Sequence, residues 1–342
     1  MTRTVGEPDM NPATIMRLGS AFAGAKVLLS AIELDLFTEL AKRPLTRAEI
    51  QDVLKLHPRV TGEWLSMLVA LNLLRRDGEV YRNSELCDRF LDRSKPSFAG
   101  GFLQRTNQVL FPAWVYLTDA LRTGEQQARH IEANDMFDTP YQDPEQVEAF
   151  LTMMDSLTST IGAQLGEAFD WSTVKTVTDV GGARGNLLSL LLKQHEHLTG
   201  TVFDLAPLKD PADKLAKERG LADRLSFSPG SFFDNDLPQA DVLMIGHVLH
   251  DWAPEERQVI VDKAFKAVNP GGAVLVYDCM LADEEMDLAK LTISIHMKLM
   301  TPGGEEYPIS EGVELLENAG FGPVEAHELG AIDTLLIGWK QA

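Results

Sequence analysis

The chain has 342 residues, 44% of them hydrophobic, and a formal net charge of −20 at pH 7. That length suits about two domains at ~150 residues each, and the acidity argues against a nucleic-acid partner or an anionic membrane surface, which select basic faces. Two cysteines, Cys87 and Cys279, fit neither a disulfide framework nor a zinc site, and point to a reducing cytoplasm and to no metal.

Residues 1–12 carry acids and prolines without a long apolar run, so they read as a loose terminus and not as a secretory signal. No later apolar stretch reads as long enough to span a bilayer. From 13 to about 165 the pattern is helical. Over 21–40, Val27, Leu28, Ala31 and Leu34 recur at helical spacing until Pro44. Thr46-Arg47-Ala48-Glu49 has the form of a capping box. A second helix over 59–74, the tight turn Asp77-Gly78 and a short strand at Val80-Tyr81 complete a winged helix-turn-helix pattern.

A DNA-reading role for that pattern is the alternative to weigh. Its recognition-helix candidate, 60–74, is mostly apolar, carries Glu63 and is followed by Arg75 and Arg76. On an acidic chain such a helix suits a partner subunit better than a phosphate backbone. Further helices are expected over 103–121 and 144–165. The polar, turn-rich stretch 123–143 between them is expected to fold over something, because long irregular segments in compact domains tend to be functional.

From about Phe169 strands and helices alternate. Strands are expected at 176–180, 200–204, 225–228, 242–246, 273–277, 324–327 and 334–339, with helices over 187–194, 254–268 and 311–319. The fold class is therefore α/β, a Rossmann-like doubly wound sheet. The last two strands have no helix between them, which predicts an antiparallel edge hairpin. The domains read as 1–165, an all-helical winged-helix-like dimerisation and substrate-lining domain, and 166–342, a cofactor-binding catalytic domain.

The first strand of the sheet ends in Asp179 and runs into Gly181-Gly182-Ala183-Arg184-Gly185, then a leucine-rich helix. A dinucleotide fingerprint has the order G-x-G-x-x-G, which this loop lacks. Asp204 ends the next strand, where a carboxylate can accept ribose hydroxyls. Asp179 would repel a pyrophosphate facing it but suits a cation. A phosphate-free, positively charged cofactor, S-adenosylmethionine, fits these residues better. The alternative for Asp179 is a structural acid that bonds the loop's own N–H groups.

Downstream lie His247-Val248-Leu249-His250-Asp251-Trp252, then Asn269-Pro270-Gly271-Gly272, then Thr301-Pro302-Gly303-Gly304-Glu305-Glu306. With the glycine loop, and in this order, these segments make the chain resemble the class I S-adenosylmethionine-dependent small-molecule O-methyltransferases of plant phenylpropanoid and bacterial natural-product pathways. The resemblance covers nearly the whole chain after the first dozen residues. It implies that Gly181, Gly182 and Gly185 line the cofactor loop, with Asp179 before it. Asp204 would hold the ribose, Leu205, Ser231 and Phe232 would flank the adenine, and Trp252 would cover it. Gly246 would stand at the end of the fourth strand. Three positions depart from the family: Ala183 where the loop often has a third glycine, Ser231 where aspartate is usual, and Gly246 where lysine is common. These touch cofactor affinity more than cofactor identity.

The resemblance further implies that His250 is the general base, held by two acids that match Asp278 and Glu306. A phenol with a pKa of about 10 and a histidine at about 6.5 differ by ~3.5 units, so complete prior deprotonation would cost roughly 5 kcal/mol. The base must act as the methyl moves, or the pocket must narrow the gap. Asp251 reads as a cap for the helix starting near Pro254, and His247 as scaffold or pocket lining. His250 itself has a structural alternative, a strand-end histidine that caps the next helix. Phe111, Trp114, Met153, Met154, Met297 and Met300 fall where the family lines its acceptor pocket, and suit a flat aromatic ring, although each also reads as ordinary core. His296 would be a polar contact. The implied product is S-adenosylhomocysteine and the implied assembly a homodimer through the N-terminal helices, each contributing to the partner's pocket. C- or N-methylation, or a homologue turned to non-methyl chemistry, remains the alternative reaction. A winged-helix transcription regulator is the remote one.

Overall fold

In a computed structural model describing residues 11–95, 97–128 and 144–342, the chain divides into two units between Asn107 and Gln108. The first contains α1 (Pro12–Gly19), α2 (Phe22–Glu33), α3 (Leu36–Lys42), β1 (Leu45–Thr46), α4 (Arg47–Leu54), α5 (Pro58–Ala70), β2 (Leu74–Asp77), β3 (Val80–Asn83), α6 (Glu85–Phe90) and α7 (Gly100–Arg105). The Thr46 hydroxyl accepts from the Glu49 amide at 3.3 Å and Glu49 accepts from the Thr46 amide at 2.8 Å, so the capping box forms. β1, β3 and β2 make a small antiparallel sheet, with Gly78 at φ +60° in the wing turn. The unit is thus winged-helix-like but not wholly helical. Leu36, Phe37, Ile50, Leu65, Leu68 and Leu74 form its core.

Two expectations change here. The run 21–40 breaks in two, because Asp35 takes a left-handed φ of +54° and its carboxylate accepts from Arg93. The 22-residue segment Pro12–Glu33 also contains an 18-residue stretch with a mean hydropathy of 1.4, which meets the length and composition of a membrane span. It is divided by the turn between α1 and α2, and Ile15, Met16, Leu18 and Phe22 are exposed.

The second unit contains α8 (Phe111–Trp114), α9 (Leu117–Thr123), α10 (Pro144–Ala168), β4 (Thr176–Val180), α11 (Asn186–Gln194), β5 (Thr199–Asp204), α12 (Lys209–Glu218), β6 (Leu225–Pro229), β7 (Ala240–Gly246), α13 (Pro254–Ala267), β8 (Val268–Asp278), α14 (Leu288–Met300), α15 (Ile309–Ala319), β9 (Val324–Leu329) and β10 (Asp333–Trp339). The helix expected over 103–121 is interrupted by a π-turn at Thr106–Leu110 and by the turn at 115–116 between α8 and α9. Most of 123–143 lies outside the described residues. The sequence boundary at 165/166 placed α10 with the first unit. In the structure α10 packs on α11, with Ile161 and Leu165 against Leu187, Leu188 and Leu191, so it belongs with the sheet.

The seven-stranded sheet has the order β6-β5-β4-β7-β8-β10-β9. The first five strands are parallel, and β9 and β10 form the expected antiparallel edge. Alternation sends Val177, Val202, Met244, Leu275 and Leu335 to one face and Phe203, Leu243, Ile245, Val274 and Leu336 to the other, each covered by helices. Strand order reverses between β4 and β7. Ligands of such sheets bind at that switch point, beyond the carboxyl ends of the strands. The glycine loop leaves β4 there, and the His247–Trp252 segment leaves β7.

Candidate active site

After β4, Gly181 and Gly185 adopt left-handed φ values of +70° and +79°, where a side chain is strained. Gly182 lies on the Asp179 carboxylate, and a Cβ there would be 2.5 Å from Oδ2. Ala183 is also left-handed, at φ +51°. The methyl that departs from the family loop therefore sits in a conformation that costs an L-residue about 1–2 kcal/mol.

The two acids divide their work differently from expectation. The Ala183 amide donates to Asp204 Oδ2 at 2.8 Å, and the Leu205 amide to Oδ1 at 2.7 Å. It is Asp204, not Asp179, that holds the loop. Asp179 is 4% exposed, and burial together with the Asp204 charge pushes it up to about 7. Burial pushes Asp204 up to about 6 against the two amides that lower it. The loop's own cation is turned away: Arg184 bonds Asp155 at 2.6 and 3.0 Å and Glu148 at 3.2 Å, both on α10. Asn186 donates to Thr158 at 2.8 Å, a second tie to α10. The sequence reading missed Arg184; the visible signal was a cation in a loop that binds no phosphate.

On the β6 side, the Ser231 hydroxyl accepts from the Phe233 amide at 3.2 Å. Phe232 and Phe233 meet Trp252 edge-on, with centroids at 5.7 and 4.6 Å. The expected adenine-flanking residues are therefore gathered at the ends of β5 and β6. Gly246, at the end of β7, is closed over by Tyr277: a Cβ on it would lie 1.8 Å from the tyrosine ring.

His250 sits on a one-turn helix, Leu249–Asp251. Its Nδ1 is 2.8 Å from Glu306 Oε1, whereas Asp278 Oδ1 is 3.7 Å away. Glu306 is thus the direct partner. Asp278, shorter by a methylene, accepts instead from the Tyr307 hydroxyl at 2.7 Å and acts on His250 through its charge. Asp251 does not cap α13, whose first amide, on Ala253, is capped by Glu256 at 3.0 Å. Its Oδ1 lies 3.9 Å from His250 Nε2, in the cluster. The reading of His250 as a helix cap fails for the same reason. Burial alone would pull the imidazole down, but the Glu306 and Asp278 charges hold it up at about 10. Burial pushes Asp251 up to about 7 and Asp278 up to about 6.

Two further features hold this cluster. Arg257, fully buried, donates to the carbonyls of Leu249 at 3.2 Å and Trp252 at 2.8 Å, pairs with Glu311 at 2.7 Å and lies over the Tyr307 ring. It ties the segment around His250 to the one around Glu306. Gly304 touches the His250 backbone so closely that a Cβ would be 2.5 Å from the His250 oxygen. That contact is why glycine precedes the Glu305-Glu306 pair. Neither role was legible in spacing alone.

His247, left-handed at φ +52°, stacks on His250 at 5.7 Å and meets Asp333 at 3.2 Å. Of the acceptor residues, Trp114 and Met300 share a cluster, and Trp114 meets His296 edge-on at 5.5 Å. Burial pulls His296 down to about 4, so it is neutral at pH 7. Met154 packs instead with Ala183 and Leu208, beside the glycine loop. Phe111, Met153 and Met297 are half-buried.

A glycine loop and unpaired acids at a switch point, beside a buried histidine–carboxylate cluster, define an α/β enzyme that binds a cationic nucleoside cofactor. A family model of the O-methyltransferase domain matches residues 114–322, and one of the O-methyltransferase dimerisation domain matches 16–93. The chain is 42% identical to the tetracenomycin polyketide synthesis 8-O-methyl transferase TcmO of Streptomyces glaucescens, over 96% of this chain and 97% of that protein. It is 34% identical to the N,N-dimethyltransferase OxyT of Streptomyces rimosus, over 99% and 98%. Human N-acetylserotonin methyltransferase, solved in complex with S-adenosylmethionine, superposes with a TM-score of 0.90 at 26% identity, covering 98% of this chain and 99% of that one. The chain belongs to the O-methyltransferase family. Its site fits the family's cofactor: among the described residues no lysine or arginine pairs with Asp179 or Asp204, which leaves the negative charge that a sulfonium and an ammonium would complement.

Proposed function

We propose that this protein is an S-adenosylmethionine-dependent O-methyltransferase acting on a hydroxyl of a small aromatic natural product. The observation that carries the reading is the His250–Glu306 hydrogen bond, placed one strand from the glycine loop. Asp179, Gly181, Gly182, Gly185, Asp204 and Leu205 would hold the cofactor's amino acid and ribose, and Ser231, Phe232, Gly246 and Trp252 would complete its site. When bound, the cofactor supplies a methyl group activated by a positive sulfur.

Glu306 accepts from Nδ1–H, which leaves Nε2 of the neutral ring free to take the acceptor's proton. Asp251 faces Nε2 and stabilises the imidazolium that results. The histidine pKa of about 10 closes the gap to a phenol that an ordinary histidine would leave. Trp114, His296, Met297 and Met300, with Phe111 and Met153, would receive the ring. Met154 is better placed for the loop side. Labelled methyl transfer to a panel of phenols and polycyclic hydroxyarenes tests the reading, and transfer unaffected by His250→Ala would sink the base assignment.

N-methylation is the second reading, supported by OxyT's name. An amine is already nucleophilic once neutral, so an N-methylating site would tolerate His250→Ala far better than a phenol-methylating one; product NMR separates them. Exposed apolar residues on α1 and α2, within or beside the matched dimerisation domain, support a homodimer through the N-terminal unit and not a membrane span. The net charge of −20 and two buried thiols support a cytoplasmic enzyme without a nucleic-acid partner.

A further inference from the structure

Gly246 ends β7 without a side chain, and Tyr277 fills the space that one would take. Gly246 and Tyr277 are register partners at the ends of β7 and β8. A Cβ on Gly246 would lie 1.8 Å from the tyrosine Cζ and 2.2 Å from its hydroxyl oxygen. The phenol therefore already occupies the space into which a side chain at 246 would grow. Tyr277 is 2% exposed, and its ring meets His247 edge-on at 5.4 Å.

Strand geometry places this hydroxyl relative to the donor. Asp179 pairs with Met244, and Met244 and Gly246 share a face because alternate residues do. Asp179, Gly246 and Tyr277 thus stand on one face at the ends of three adjacent strands, β4, β7 and β8. The cofactor residues follow the strand order: adenine partners after β6, the ribose acid at β5, the glycine loop at β4 and the base after β7. The amino-acid end of the cofactor would fall beside Asp179 and Tyr277, which are near enough for the acid's charge to act on the phenol. Burial and the Asp179 charge keep the phenol protonated, a neutral donor, and among the described residues no hydrogen bond takes it up.

The geometry points to Tyr277 as a cofactor-binding residue that supplies, from the neighbouring strand, the polar group that position 246 lacks, and bonds the amino-acid end of S-adenosylmethionine. This rests on the proposed methyl donor. A neutral phenol at this place forms no ion pair with Asp179, and so leaves the Asp179 charge for the ligand.

Calorimetric titration of the full chain with S-adenosylmethionine and with S-adenosylhomocysteine, without acceptor, tests it. Tyr277→Phe is expected to keep the melting temperature and raise Kd for both ligands about 2- to 12-fold, the range of one hydrogen bond. Gly246→Ala is expected to lower the melting temperature because the ring must move. Tyr277→Val in the same chain is expected to restore it while Kd stays raised. Wild-type Kd in Tyr277→Phe would overturn the assignment of Tyr277 alone. A wild-type chain that binds neither ligand would overturn the proposed donor, and the assignment with it.

Discussion

Glu306→Gln removes a charge from the His250 cluster while keeping the side chain's shape. The carboxylate is 2.8 Å from Nδ1 and is the strongest of the groups that hold the imidazole at about 10. An opposite charge at such range shifts a pKa by about 1–3 units, so the substitution should bring His250 to about 7–9. At 1.36 kcal/mol per unit, this is a loss of about 1.4–4 kcal/mol in proton affinity. The sign follows from proton counting. At pH 7 the wild-type imidazole is protonated, and the reactive complex with a phenol holds one proton fewer. kcat/KM should therefore climb with pH, close to tenfold per unit, until His250 loses its proton near pH 10. In Glu306→Gln the rising limb should break about 1–3 pH units lower. The plateau should also fall, by no more than the same one to three factors of ten, because the base is weaker. The assay is kcat/KM over pH 6–10.5 for both enzymes with one phenol, so that the acceptor's own ionisation is common to both. An unmoved break, with activity reduced uniformly, would refute Glu306 as the group that sets the base's proton affinity.

Other consequences follow from the same geometry. Gly182→Ala should abolish measurable cofactor binding, because its Cβ would lie 2.5 Å from Asp179 Oδ2; Ala183→Gly, relieving a left-handed alanine while losing a buried methyl, should change stability by less than about 1 kcal/mol in a denaturant melt. Because Asp179 titrates near 7, affinity for S-adenosylmethionine should fall as pH drops from 8 to 5.5, by up to about tenfold per unit. S-adenosylhomocysteine, whose sulfur is neutral, should lose less, and equal losses would detach Asp179 from the sulfonium. Arg184→Ala should cost about 1.5–3 kcal/mol by breaking charged hydrogen bonds to α10, read as a lower melting temperature, with weaker cofactor binding if that anchor shapes the loop. Arg257→Met should lower kcat by more than tenfold even where the fold survives, because it loosens Leu249 and Trp252 on either side of His250.

The strands at 176–180 and 242–246, the edge hairpin, the capping box at Thr46 and the glycine loop were all legible in the sequence, because each depends on neighbours within a few residues. Periodicity, a cap and a turn are local, and the order of segments around His250 carried the family. The local pattern of 21–40 reads as one helix, because the ion pair that stabilises the break at Asp35 comes from Arg93, far along the chain. Everything that sets charge at the site came from residues far apart in the chain. Glu306 touches His250 across 56 positions, whereas Asp278 stays at 3.7 Å and is bonded by the Tyr307 hydroxyl. Asp251 joins the cluster because Glu256 takes the cap it was expected to make. Asp204 rather than Asp179 secures the loop, and Arg184 leaves it for α10. Residue types and spacing determined which chemistry this chain can host. Burial and approach across strands decided which carboxylate is paired, which is left charged for the cofactor, and why tyrosine at 277 goes with glycine at 246.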